Sequence, residues 1–269
     1  MRPLAKGKEA KRIGLIGHGS GALPALVLVG LLVPGLRVAD AQDRSLSFGG
    51  ELDANSRYVW RGLPQSRGPA AQPSVWVSFT DFTFTPWANF VLGSEENRWK
   101  FNEVDLSVAY SKEWIGLSFE PSFAYYVYPN QPDVPATGEL SLGLSYQLGP
   151  VEFSTSHTVD LFEYRGAYFG DLGLEYSRDV LNDRAGFEAG GRVGVGSSRF
   201  NDAYIGEPRF ALNTAGVTVG MPVSVFGCLR VRPHAELSTV IDRALRERLA
   251  ADGQPAAVVS FGLSLEMEP

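Results

Sequence analysis

One cysteine, Cys228, in 269 residues leaves the chain without an intrachain disulfide. Histidine is nearly as scarce: three in all, of which only His157 and His234 lie beyond the first forty residues. No P-loop, dinucleotide fingerprint, paired-cysteine cluster or zinc-protease motif is present, so no metal and no cofactor is expected. After residue 41 there is no run of eighteen apolar residues, which excludes ordinary transmembrane helices.

The first forty residues have a different character. Lys6, Lys8, Lys11 and Arg12 precede the apolar run "ALPALVLVGLLVPGL", and Ala39 and Ala41 follow at cleavage-compatible spacing. The pattern predicts a signal peptide over 1–41, removed after Ala41, and a single domain over 42–269. Removal takes six of the 24 basic and two of the 30 acidic residues, leaving 18 and 28 and a formal charge of -10. That balance argues against nucleic acid as a partner, which needs concentrated positive charge.

What is abundant is alternation with a period of two. Over 45–60, Leu46, Phe48, Leu52, Ala54, Tyr58 and Trp60 share one parity, while Ser47, Glu51, Asp53, Asn55 and Arg57 take the other. A strand shows successive side chains to opposite faces, so the segment has one apolar and one polar face. The pattern returns at 103–110, 115–127, 139–146, 170–177, 187–196, 213–221, 223–232 and 257–266; 73–84, 87–92 and 151–158 are less regular or shorter. The sum is twelve strands. An even-numbered antiparallel up-and-down transmembrane β-barrel, all-β, accommodates them without open edges.

The expected connections sort by length. Those at 61–72, 93–100, 128–136, 159–166, 197–211 and 233–256 are long, whereas 85–86, 111–114, 148–150, 178–186 and a turn at Pro222 fall at the other end. Long loops on one side and short turns on the other are the asymmetry of outer-membrane barrels. Within the last long connection, 238–252 has helical periodicity through Val240, Ala244, Leu245 and Leu249, with Asp242 and Arg246 four apart; packing is its simplest role.

The two faces assign candidate residues. Glu51, Asp53, Arg57, Glu103, Asp105, Glu120, Glu139, Glu175, Glu188, Arg192, Arg230 and Arg232 oppose apolar positions and are expected to line a lumen, either as paired charges or as a wet, cation-favouring bore. Tyr58, Trp60, Tyr110, Tyr125, Tyr146 and Tyr176 are expected at the membrane interface, against outer-membrane lipids. A hydrolase would need a serine beside a base; in "EFSTSHTVD" Ser154, Ser156 and His157 are the candidates, yet neighbours on a regular strand face opposite ways. No catalytic residue is therefore assigned.

The segments "LDANSRYVWRGLPQSRGPAAQP", "FEPSFAYYVYP" and "GELSLGLSYQLGPVEFS" resemble the TorF-type porins of Gram-negative outer membranes, most closely at Ser56, Arg57, Tyr58, Arg61, Gly62 and Gln65. The likeness spans roughly 46–235. It implies an exported barrel in the outer membrane that passes small polar solutes or ions, with a packed-lumen structural or adhesion-like barrel and a lipid hydrolase as alternatives. Two features depart from it: the chain ends "LSLEMEP" without a terminal aromatic residue, and the last connection is long. The sequence sets no oligomeric state.

Overall fold

The computed structural model describes residues 46–93, 97–181 and 184–268; the expected signal peptide lies outside them. Twelve long strands carry the fold: β1 (Leu46–Asn55), β2 (Ala70–Phe79), β3 (Phe82–Val91), β4 (Phe101–Tyr110), β5 (Leu117–Val127), β6 (Thr137–Leu148), β7 (Val151–Asp160), β8 (Tyr168–Val180), β9 (Ala185–Gly196), β10 (Ala211–Gly220), β11 (Leu229–Val240) and β12 (Ala257–Met267). Each pairs antiparallel with its sequence neighbours. β12 also pairs with β1, from Gly50 opposite Met267 to Asn55 opposite Gly262. The chain is a closed twelve-stranded antiparallel β-barrel, as the alternation requires, and closure satisfies the backbone of both edge strands.

The outward parity is apolar and exposed. Phe48, Phe84, Leu106, Phe119, Leu172, Val217 and Phe261 all lie on it, and Leu172 is 67% accessible. The inward parity carries Glu, Asp, Arg, Ser and Gly, many of them buried: Glu103, Asp105, Glu139, Asp160 and Ser264 are each at most 3% accessible. A water-soluble barrel has the reverse polarity, because burying apolar surface is what drives it to fold.

Connections at one end are short: Thr80–Asp81, Gly149–Pro150 and residues 181–184, with short hairpin extensions at Lys112–Trp114 and Val223–Phe226. At the other end the strands are further apart along the chain, with residues 56–69, 92–100, 128–136, 161–167, 197–210 and 241–256 between them. Three boundaries differ from expectation. The turn placed at 85–86 is at Thr80–Asp81, with Thr80 in the left-handed region at φ 55°. Pro86 instead lies within β3, across from β2, where the ladder between the two strands skips positions around Pro73 and Pro86; proline has no N–H to donate, so a strand residue mimicked a turn. The segment 223–232 divides into Val223–Phe226, a turn at Gly227, and the start of β11. β11 then runs on to Val240, which shortens the last connection from 233–256 to 241–256.

Two helices sit in the long connections. α1 (Ser198–Ile205) starts at Ser197, whose side chain accepts the Phe200 N–H, and stops at Gly206 with φ 78°. α2 (Arg243–Ala251) realises the helical periodicity of the last loop and buries Leu245 and Leu249. Its ion pairs are Arg243–Glu247 and Arg248–Asp252, not Asp242 with Arg246. Asp242 caps the helix, accepting the Ala244 and Leu245 N–H groups, and its other oxygen lies 3.2 Å from Arg209.

Candidate functional site

β1 leaves the wall at Asn55, and the chain that follows turns into the barrel. Val59–Trp60 and Leu63–Pro64 form a two-residue hairpin whose central residues, Arg61 (φ 44°) and Gly62 (φ 79°), are both left-handed. That is the type I′ arrangement, which suits the twist of paired strands and favours glycine. The tip rests against β10 and β11: a Cβ on Gly62 would meet Ser238 Oγ at 2.6 Å and Thr214 Cβ at 2.8 Å, and Ser238 Oγ donates to the Gly62 carbonyl at 3.2 Å. Only glycine meets both the dihedral and the space.

This hairpin overturns one expectation. Tyr58 and Trp60 are 6% and 1% accessible and belong to an interior cluster with Ala70, Ala167, Phe169 and Phe200; they are not at the membrane interface. Their phase was extrapolated from β1, but the pleat ends at Asn55, after which Ser56 Oγ accepts the Phe261 N–H and the chain bends inward. Of the other expected interface aromatics, Tyr125 and Tyr146 are exposed on the outward face. Tyr110 packs beside outward Phe82, and Tyr176 beside outward Phe187.

Arg61, the residue at the hairpin tip, is the organising charge of the mouth. Its guanidinium donates to both carboxylate oxygens of Glu139 on β6, at 2.9 and 2.8 Å, and the Tyr126 hydroxyl on β5 donates to the same carboxylate at 2.9 Å. The Arg61 Cζ also lies 4.3 Å from the Trp60 ring centre, 5.1 Å from Phe169 and 5.6 Å from Phe200. Burial works against the Arg61 charge, but Glu139 offsets it and holds the guanidinium above its ordinary range. Burial, then the Glu139 charge, pushes the Tyr204 hydroxyl well up; burial, then Glu163, pushes Tyr164 to about 12. Both phenols stay neutral near pH 7.

Around the tip, α1 adds Phe200 and Tyr204, with Tyr204 edge-on to Trp60 at 5.1 Å. Leu63 joins Ile205, Ala211, Val240, Leu245 and Leu249 in a second cluster, so hairpin, α1 and α2 fill the loop end of the bore together. Beneath them Tyr58 Oη is 3.4 Å from Glu103, which adjoins Asp105 on the same inward face.

Further down, the inward charges form two networks. Arg232 reaches Glu266 at 2.9 Å, Glu51 at 3.3 Å and Glu188 at 4.0 Å, and Arg230 lies 3.9 Å from Glu266. Arg192 pairs with Asp171 and, at 3.2 Å, with Glu175. The inward glycines opposite make room: a Cβ on Gly173 would come within 3.3 Å of the Arg192 guanidinium. Glu120 accepts from Ser111 Oγ at 2.6 Å. Asp53 and Arg57 line a cavity of about 150 Å³ with Asn55, Gln72, His234 and Glu236. The eleven of the twelve expected lumen residues that lie on strands have the inward parity, and Arg57, past the end of β1, lines this cavity. The inward carboxylic and basic side chains of β4–β7 (Glu103, Asp105, Glu120, Glu139, Glu152 and Asp160) are all carboxylic, whereas Arg192, Arg230 and Arg232 stand on β9 and β11.

Ser154 and His157 are not brought together. Ser154 shares the inward parity with Ser156, while His157 is outward, its Nδ1 2.8 Å from Tyr168 Oη.

Known structures share this architecture. A solved NanC porin matches with a TM-score of 0.54 at 11% identity, over 82% of this chain and 100% of that one. An outer membrane channel from Pseudomonas putida F1 matches at 0.49, with 10% identity over 89% and 100%. The outer membrane channel DcaP of Acinetobacter baumannii matches at 0.37, with 6% identity over 82% and 72%. The barrel resembles the fold of the NanC porin. No protein-family model and no curated protein matches the chain, so nothing in these comparisons singles out the TorF-type family.

The sequence did not expose Arg61 as a site residue, nor Tyr126, Asp171, Phe200 or Tyr204. One cue was present: Arg-Gly between "VW" and "LP" has the glycine of a two-residue hairpin.

Proposed function

We propose that the chain is an outer-membrane channel for small polar solutes or ions, of the TorF-type porin kind, with its bore narrowed at the loop end by the Arg61 hairpin. One observation carries the reading: a closed barrel with apolar side chains outward and polar, ionisable side chains inward is matched to lipid outside and water inside. The length sorting of the connections supports an orientation with the loop end outside the cell and the turn end in the periplasm. The acidic β4–β7 wall favours cations over anions in the bore. The tight packing of the mouth favours a second reading, a barrel whose lumen is permanently filled.

Reconstitution into planar bilayers separates the two. The channel reading expects discrete conductance steps and, in a salt gradient, a reversal potential displaced toward the cation equilibrium potential. Correctly inserted protein that carries no current would leave the filled barrel standing.

A further inference from the structure

We infer that the mouth of the barrel contains a recognition site for a guanidinium cation, and that Arg61 occupies it as a tethered ligand. This deepens the channel reading by naming a solute class, and its role in permeation rests on that reading. Apart from Trp60, the site is assembled from elements remote from the hairpin. Glu139 on β6 presents both oxygens side-on, at 2.9 and 2.8 Å from the two terminal nitrogens, a fork geometry that a guanidinium matches and an ammonium does not. Tyr126 on β5 fixes that carboxylate through its own hydrogen bond, so the acceptor's orientation has a support independent of Arg61. Phe169 on β8 and Phe200 on α1 offer aromatic faces at 5.1 and 5.6 Å, and Trp60 closes the box at 4.3 Å.

The box also has donors to spare. Trp60 Nε1 and the Tyr164 hydroxyl are shielded from solvent with no hydrogen-bond partner among the described residues, and both rings lie 5.1 Å from Tyr204. Buried donors of this kind are costly unless something accepts from them. A salt bridge whose only role was to staple the hairpin would need neither the aromatic walls nor the idle donors.

The test empties the site and refills it. Arg61→Ala is expected to conduct several-fold more than the native protein. Low-millimolar N-ethylguanidinium should return its conductance toward the native value, where ethylammonium at the same concentration does not. The same salt should raise the thermal midpoint of detergent-solubilised Arg61→Ala, leave the native protein unmoved, and have no effect on Arg61→Ala combined with Glu139→Gln. Equal responses in all three proteins, or no preference for guanidinium over ammonium, would overturn the proposal. If Arg61→Ala does not fold, Arg61→Lys keeps the charge without the fork and takes the same measurements. Absence of current from every variant would count against the channel alone, because the thermal midpoint reads the site independently.

Discussion

Glu139→Gln is expected to free the hairpin from the barrel wall. Glutamine keeps the size and one acceptor oxygen but removes the charge, and Arg61 would then be a buried cation with no carboxylate against it. Breaking one partner of a buried ion pair typically costs about 3–5 kcal/mol, more than the rest of a six-residue hairpin can absorb. The cheaper state is the one in which Arg61 swings into water and takes Trp60 and Leu63 with it. Two readouts follow. Trypsin, which cleaves after arginine, should nick the variant at Arg61 while sparing the native chain there, since Arg61 is flanked by Trp60 at 1% and, beyond Gly62, Leu63 at 3% accessibility. Single-channel conductance should rise several-fold. A variant as trypsin-resistant as the native protein would show that the hydrophobic cluster of Leu63, Ile205 and Val240 holds the hairpin without the ion pair.

The second large effect concerns the outer wall. Leu106 is central in β4 and 41% accessible, on the outward parity. Against lipid, Leu106→Arg should cost about 2–4 kcal/mol, the price of an arginine near the bilayer midplane. Against water, the same exposed position would tolerate arginine at less than about 0.5 kcal/mol. The neighbouring Ser107 faces the bore, with its hydroxyl on the Thr85 carbonyl at 3.1 Å, and Ser107→Lys should cost about 1 kcal/mol. Urea unfolding of the two variants in lipid vesicles decides the matter. If Leu106→Arg is the milder of the pair, the outward face does not meet lipid.

The wall was legible because most of its strands obey one rule along their length: Val104, Leu106 and Val108 against Glu103, Asp105 and Ser107 is a signal that no single substitution hides. It weakened where another constraint intruded. Pro86 removes a ladder hydrogen bond without ending β3, and so was read as a turn. The mouth was illegible for a different reason. Tyr58 and Trp60 keep the parity of β1 in the sequence, yet parity has meaning only while the strand lasts, and it stops at Asn55. What decides their place is a partner 78 residues from Arg61, Glu139, and a seat formed by Thr214 and Ser238. Contacts at such separations leave no local mark. The expected lumen residues on the strands needed only parity, which is why they were legible, while the charge of Arg61, beyond the end of β1, was not.

The seat of Gly62 has a consequence for the order in which the molecule is made. Thr214 and Ser238 become neighbours only when β10 and β11 are paired, and β1, which carries the hairpin, is held in place by β12, the last strand in the chain. The stopper therefore cannot be set before the hoop is shut. A newly zipped barrel is then expected to pass through a hollow stage, in which its inward side chains meet water before the hairpin is seated. In a variant that keeps Trp60 alone among the tryptophans, time-resolved fluorescence should show Trp60 going dark to quencher only after the β-sheet signal is complete.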